Sequence, residues 1–171
     1  MELKSYIRDI PDFPKQGIIF KDITTLLKEP EPFRYAVDVL VKNYEKVHID
    51  KVVSVEARGY IFGGVLAYQL KCGFVPVRKP GKLPAETVSM DYTLEYGKNT
   101  IEIHKDAIQK GDKVLVFDDL LATGGTVQAT CRLVEELGGE IVGCAFLITL
   151  SFLRGADKLN KYSIFSLIDY Q

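Results

Sequence analysis

Hydrophobic positions in this chain fall into short continuous runs and helical stripes that alternate along its length. Lys51–Val55, Phe74–Val77, Lys113–Phe117, Glu140–Leu150 and Tyr162–Ile168 are apolar runs of strand length, rich in β-branched and aromatic residues. Between them, Phe33, Val37, Leu40, Val41 and Tyr44 recur at helical spacing within 31–47, and similar stripes mark 60–72 and 123–137. Pro30 and Pro32 are start signals for the first stripe, and Gly138 and Gly139 stop the last. Strands buried on both faces read as continuous apolar runs, and strands alternating with helices form parallel sheets. The pattern therefore predicts an α/β fold: a central, mostly parallel twisted sheet with helices on both faces. At 171 residues, one domain spanning 1–171 is the simplest organisation.

Two regions depart from this alternation. Leu3, Tyr6, Ile7 and Ile10 share one helical face, which predicts a short helix over 2–10 that stops at Pro11. Pro11, Pro14 and Gly17 then break any regular element, and 18–27 is apolar but interrupted by Lys21 and Asp22. Residues 1–29 thus read as an arm laid over the core, a hood. The second region, 79–99, is polar and punctuated by Pro80, Gly81, Pro84 and Gly97, as a lid loop would be. Alternation over 92–96 and 101–104 suits a two-stranded excursion beside it.

Charge narrows the function. A net charge of -1 excludes a bulk nucleic-acid binder, so any anion site must be built from a few placed groups. The first residues lack the layout of a secretory signal, and the longest apolar run, 141–150, is far short of the ~20 residues a spanning helix needs. Cys72, Cys131 and Cys144 form no C-x-x-C pair and read as free core thiols of a reducing compartment, the cytoplasm. His48 and His104 are too far apart in sequence to suggest a metal site.

The chemistry concentrates in V-L-V-F-D-D-L-L-A-T-G-G-T, 114–126. An apolar strand is expected to end at Asp118 and Asp119, and a turn of small residues, Ala122, Thr123, Gly124, Gly125 and Thr126, then opens a helix. Glycines let backbone amides approach a phosphate, and the helix N-terminus adds about half a positive charge. The two threonines can donate hydroxyl hydrogen bonds to the same phosphate, while carboxylates accept them from vicinal hydroxyls, as acidic groups do for ribose. A ribose 5-phosphate fits this spacing. Neither the nucleotide P-loop string nor G-x-G-x-x-G occurs, and the acidic pair makes a weak Walker B strand without its P-loop.

The same stretch resembles the phosphoribosyl-pyrophosphate motif of type I phosphoribosyltransferases. P-D-F-P-K-Q-G-I-I-F-K-D-I-T at 11–24, E-A-R-G-Y at 56–60, R-K-P-G-K-L-P at 78–84, L-E-Y-G-K at 94–98 and I-E-I-H-K-D-A-I at 101–108 extend the likeness to the adenine-specific branch. Phe117, Tyr60 and Pro80 depart from the usual pattern without removing a charged group. The resemblance implies a purine salvage reaction, adenine plus phosphoribosyl pyrophosphate giving AMP and pyrophosphate, through an oxocarbenium-like transition state with Mg2+ held mainly by substrate. It also implies a homodimer.

By the same resemblance, residues 122–126 hold the 5-phosphate and Asp118 and Asp119 the ribose edge. Arg58, with Lys79 and Lys82, faces the pyrophosphate. Glu95 handles the adenine proton beside Tyr96, and Ile19, Phe20 and Lys21 meet the base through backbone groups and the Phe20 ring. The rivals are a xanthine or 6-oxopurine phosphoribosyltransferase, and a regulator that senses phosphoribosyl pyrophosphate on the same fold.

Overall fold

The computed structural model describes residues 1–94 and 97–171. The chain opens with a single 3-10 turn, Leu3–Tyr6, followed by strands β1 (Arg8–Pro11) and β2 (Ile19–Asp22), which pair antiparallel as a separate two-stranded hood. The helix expected over 2–10 is therefore replaced. Pairing of Arg8 with Asp22 across the hood overrides a helical stripe that Pro11 limits to about two turns. Helices α1 (Thr24–Leu27) and α2 (Pro30–Tyr44) lead to strand β3 (Lys51–Val55), helix α3 (Gly59–Gln69) and strand β4 (Gly73–Val77).

Strands β5 (Thr87–Leu94) and β6 (Gly97–His104) form an antiparallel hairpin. Most of the segment read as an irregular lid is thus paired strand. Ile101 and Ile103 alternate into the core, and the Arg78–Glu102 bridge fastens the hairpin to the end of β4. Strand β7 (Lys113–Leu121), helix α4 (Gly125–Glu136), strand β8 (Glu140–Leu150), 3-10 turns at Ser151–Leu153 and Gly155–Leu159, and strand β9 (Ile164–Tyr170) complete the chain.

Among the described residues the central sheet has five strands in the order β4-β3-β7-β8-β9, all parallel. Along β7, Leu115 and Phe117 pack into one core layer with α2 and α3, and Val114 and Val116 into the other with α4 and β6. Strand periodicity thus divides one apolar run between two faces. After β3 the chain steps outward to β4, and later returns to place β7 on the opposite side of β3. This reversal creates a topological switch point, and the crevice beyond the strand ends there is where open parallel sheets bind ligands.

Candidate active site

The structure extends β7 past the point where the sequence ends it. Pairing with β3 stops at Ser54–Phe117, but pairing with β8 continues to Leu121–Thr149. Asp118 and Asp119 therefore sit within the strand, where its β3 side has become free. The first turn of α3 packs under them, so closely that a β-carbon on Gly59 would stand 2.9 Å from Asp118 Oδ1. That oxygen accepts the Asp119 amide at 2.9 Å. Burial and the neighbouring Asp119 charge push the Asp118 carboxyl well above the usual range. Burial also raises Asp119, with Arg58 opposing the shift. Hydroxyl donors or a cation would favour the ionised pair.

Arg58 Nε lies 2.9 Å from Asp119 Oδ2. The contact is ionic without hydrogen-bond alignment, and buried Asp119 Oδ2 and Arg58 Nη1 have no hydrogen-bond partner among the described residues. Unpartnered buried polar atoms are rare, and both residues line a cavity of about 220 Å3, together with Glu56, Lys79, Tyr92, Asp118 and Thr126, among others. The structure thus brings Arg58 and Lys79 together. It draws Lys82 to Glu56 Oε2, at 3.4 Å, outside the cavity wall.

A second cavity, about 130 Å3, is the turn expected to hold a phosphate, lined by Asp118 and by Ala122, Thr123, Gly124, Gly125 and Thr126. Gly124 caps α4 with φ +77°, a left-handed conformation that side chains resist, so the helix starts at Gly125 instead of Thr123. The turn is pressed against Gly155, whose hypothetical β-carbon would stand 2.1 Å from the Ala122 carbonyl oxygen.

The hood reaches the same place. The Arg58 guanidinium lies over the Phe20 ring, 4.8 Å from its centre, and Phe13 meets that ring edge-on. Lys21 commits its ammonium to Asp9 at 2.7 Å and to the Tyr170 ring. Since β2 pairs on one side alone, alternate residues present N–H and C=O groups to its open edge. Ile19, 55% exposed, lies on this strand next to Phe20.

Sequence reasoning missed Glu56, Tyr92, Gly155 and the Arg8–Asp22 link. Glu56 stood in plain view two residues before Arg58, but its partners are remote. Gly155 carried no local signal, because its role comes from backbone contact with a distant turn. Glu95 and Tyr96 lie outside the described residues. A wider cavity, about 820 Å3, lies at the outer edge of the sheet between the N-terminal turn, Tyr35 and β9, away from the switch point.

Among the described residues no group of three His, Cys, Asp or Glu could hold a metal unaided. Two buried carboxylates beside an anion cavity nonetheless suit an ion that takes most of its ligands from substrate oxygens. No helix among the described residues is long and apolar enough to cross a membrane. The three cysteines carry no disulfide; Cys131 and Cys144 are buried and Cys72 is partly exposed.

An anion cradle beside a buried acid pair, at the switch point of a parallel sheet, is what a sugar phosphate requires. Residues 24–171 match the phosphoribosyl transferase domain family, and the chain is a phosphoribosyltransferase. It is 58% identical over 170 residues to an adenine phosphoribosyltransferase of Christiangramia forsetii, covering 99% of both chains. The solved adenine phosphoribosyltransferase of Thermoanaerobacter pseudethanolicus superposes with a TM-score of 0.96 at 55% identity, covering 99% of this chain and 98% of that one. The Saccharomyces cerevisiae enzyme, solved with adenine and an imino-altritol bisphosphate, gives 0.90 at 41% identity, covering 96% of each chain. The chain belongs to the adenine phosphoribosyltransferase family.

Proposed function

We infer that the chain is a purine salvage enzyme, joining adenine to 5-phosphoribosyl 1-pyrophosphate to give AMP and pyrophosphate. The observation that carries this reading is the placement of the buried acid pair between a helix-terminal cradle and the Arg58–Lys79 wall. In this reading the amides and hydroxyls of 122–126 hold the 5-phosphate. Asp118 and Asp119 accept hydrogen bonds from the ribose hydroxyls. Arg58 and Lys79, with Lys82 and Arg78 close behind, draw the pyrophosphate.

The bond from C1 to the pyrophosphate oxygen breaks as adenine N9 bonds to C1. The sugar passes through an oxocarbenium-like state whose positive charge the nearby carboxylates favour. Asp118 and Asp119 would flank a Mg2+ ion held mainly by substrate, and such an ion would supply charge neutralisation at the leaving group. Glu95 accepts the N9 proton next to Tyr96, which resemblance alone assigns. The base lies against Phe20, with backbone groups of Ile19 and Lys21 pairing its 6-amino group and N1. A 6-oxo purine reverses donor and acceptor there, which mismatched buried groups reject by orders of magnitude.

We further propose one domain over 1–171, a homodimer and a cytoplasmic setting. Helix α3 is apolar on nearly every side, and its outer face leaves Tyr68 81% and Ile61 40% exposed. A second copy would cover that face, and a sedimentation measurement finding a monomer would overturn the dimer. Free thiols suit the cytoplasm. The activity is tested by a panel of purine bases with phosphoribosyl pyrophosphate and Mg2+. Adenine is the expected substrate, and faster turnover of hypoxanthine or xanthine would overturn the assignment.

A further inference from the structure

A carboxylate in the wall of a site for a polyanion is a cost unless it organises the cations around it. Glu56 is such a group. It follows β3 directly, and its amide bonds to the Val77 carbonyl at 3.0 Å, so its backbone is part of the sheet's end. Its side chain is only 10% exposed. Oε2 accepts Arg78 Nε at 3.1 Å and Nη2 at 3.0 Å, with Lys82 Nζ at 3.4 Å, and Oε1 accepts the Lys79 backbone amide at 2.7 Å. Charge-assisted hydrogen bonds of this kind, out of full solvent, are about twice as strong as neutral ones.

The decisive detail concerns Lys79. Glu56 grips it by the backbone, while its ammonium makes no ion pair among the described residues and Lys79 lines the cavity with Arg58. From the other side, Glu102 holds the same segment through the paired Arg78 backbone and through Gly81 N at 3.2 Å. The 78–82 segment is therefore clasped between two carboxylates of different elements, and within it Lys79 lines the cavity without an ion pair among the described residues.

We propose that Glu56 is a positioning residue for leaving-group recognition, holding Arg78 and Lys82 and the 78–82 segment so that Lys79 faces the pyrophosphate of the sugar substrate. This rests on the reading of that cavity as the pyrophosphate site. Glu56 touches neither reacting atom; it acts through Lys79, Arg78 and Lys82. Its carboxyl is held below its ordinary range by the Lys79 amide, Arg78 and Lys82 against the opposing effect of burial, so the clasp is charged at neutral pH.

The test is initial-rate kinetics of Glu56→Gln and Glu56→Ala, varying each substrate in turn, with thermal melts to establish folding. Glu56→Gln keeps size and an acceptor for the Lys79 amide but removes the charge that holds Arg78 and Lys82. It is expected to raise the KM for phosphoribosyl pyrophosphate about tenfold and to weaken product inhibition by pyrophosphate in parallel, with the adenine KM within about twofold of wild type. Glu56→Ala is expected to shift the same constants further. An unchanged sugar-substrate KM in folded Glu56→Gln, or an equal rise for adenine, overturns the proposal. If the wild-type chain itself releases no pyrophosphate from adenine and phosphoribosyl pyrophosphate, the functional reading fails instead.

Discussion

Gly124 and Gly155 meet backbone to backbone: a β-carbon on Gly124 would stand 2.3 Å from the Gly155 carbonyl oxygen, and one on Gly155 would stand 2.9 Å from Gly124 N. The turn that cradles a phosphate is thus backed by a segment from beyond β8. Gly155→Ala forces backbone, not a flexible side chain, to move, at a cost of about 1–3 kcal/mol. The expected result is a sugar-substrate KM raised about tenfold with a lower melting temperature. Steady-state kinetics and a thermal melt check it, and a Gly155→Ala protein with wild-type KM would show that the turn needs no such brace.

Asp118 is expected to oppose folding while serving function. Burial and Asp119 raise its carboxyl, so the folded state binds the proton more tightly than the unfolded one. Stability therefore falls as pH rises from the unfolded carboxylate range toward the raised folded value. Asp118→Asn keeps an acceptor for the Asp119 amide and removes the charge. Its melting temperature should exceed wild type at pH 8 by about 2–4 °C for each kcal/mol recovered, and by less at pH 5. Turnover should drop. Melting curves at the two pH values would refute this if the difference shrank with rising pH.

The hood has its own latch. The Thr24 amide first, and then Arg8 and the Thr24 hydroxyl, overcome burial to hold the Asp22 carboxyl at about 2, below its ordinary 3.8. A depressed carboxyl contributes stability above its unfolded value and loses it as pH falls through the folded one. The protection factors of amides within residues 8–24, measured against intrinsic exchange at each pH, should therefore fall between about pH 4 and 2, ahead of the core strands. Asp22→Asn should remove that step and raise the adenine KM more than the sugar-substrate KM. Equal effects on both constants would place the hood away from the base.

Arg58 touches both Asp119 and the Phe20 ring, so its removal is expected to act on both substrates. Arg58→Ala should lower kcat by roughly 10²–10³, the scale of losing one donor to developing negative charge. Arg58→Lys should recover little, because an ammonium cannot keep a planar contact on the ring while pairing with a carboxylate. Full recovery in the lysine variant would reduce Arg58 to a point charge.

The strand runs 51–55 and 140–150 were legible to the residue, because strands buried on both faces announce themselves by continuous apolarity. The end of β7 was not. Two aspartates look like a strand's exit, yet a strand carries polar residues on while one edge stays paired, as Asp118 does with Phe146. The arm at 2–10 failed for a related reason. Its helical stripe was genuine, but a short isolated helix is marginal in water, and pairing with β2 decided the outcome.

By itself, the order of residues determined the alternation of strand and helix, the two apolar faces of β7, and the chemistry of D-D-L-L-A-T-G-G-T, since period, turn formers and functional groups are all local properties. Only the tertiary structure decided which of those groups meet. Glu56 under Arg78 and Lys79, Gly155 behind Gly124, and Phe20 against Arg58 each join segments far apart in the chain. No local pattern encodes such pairs. They follow from the reversal of strand order beside β3, which brings the ends of β3 and β7 to one crevice and leaves shape and charge to select what closes over it.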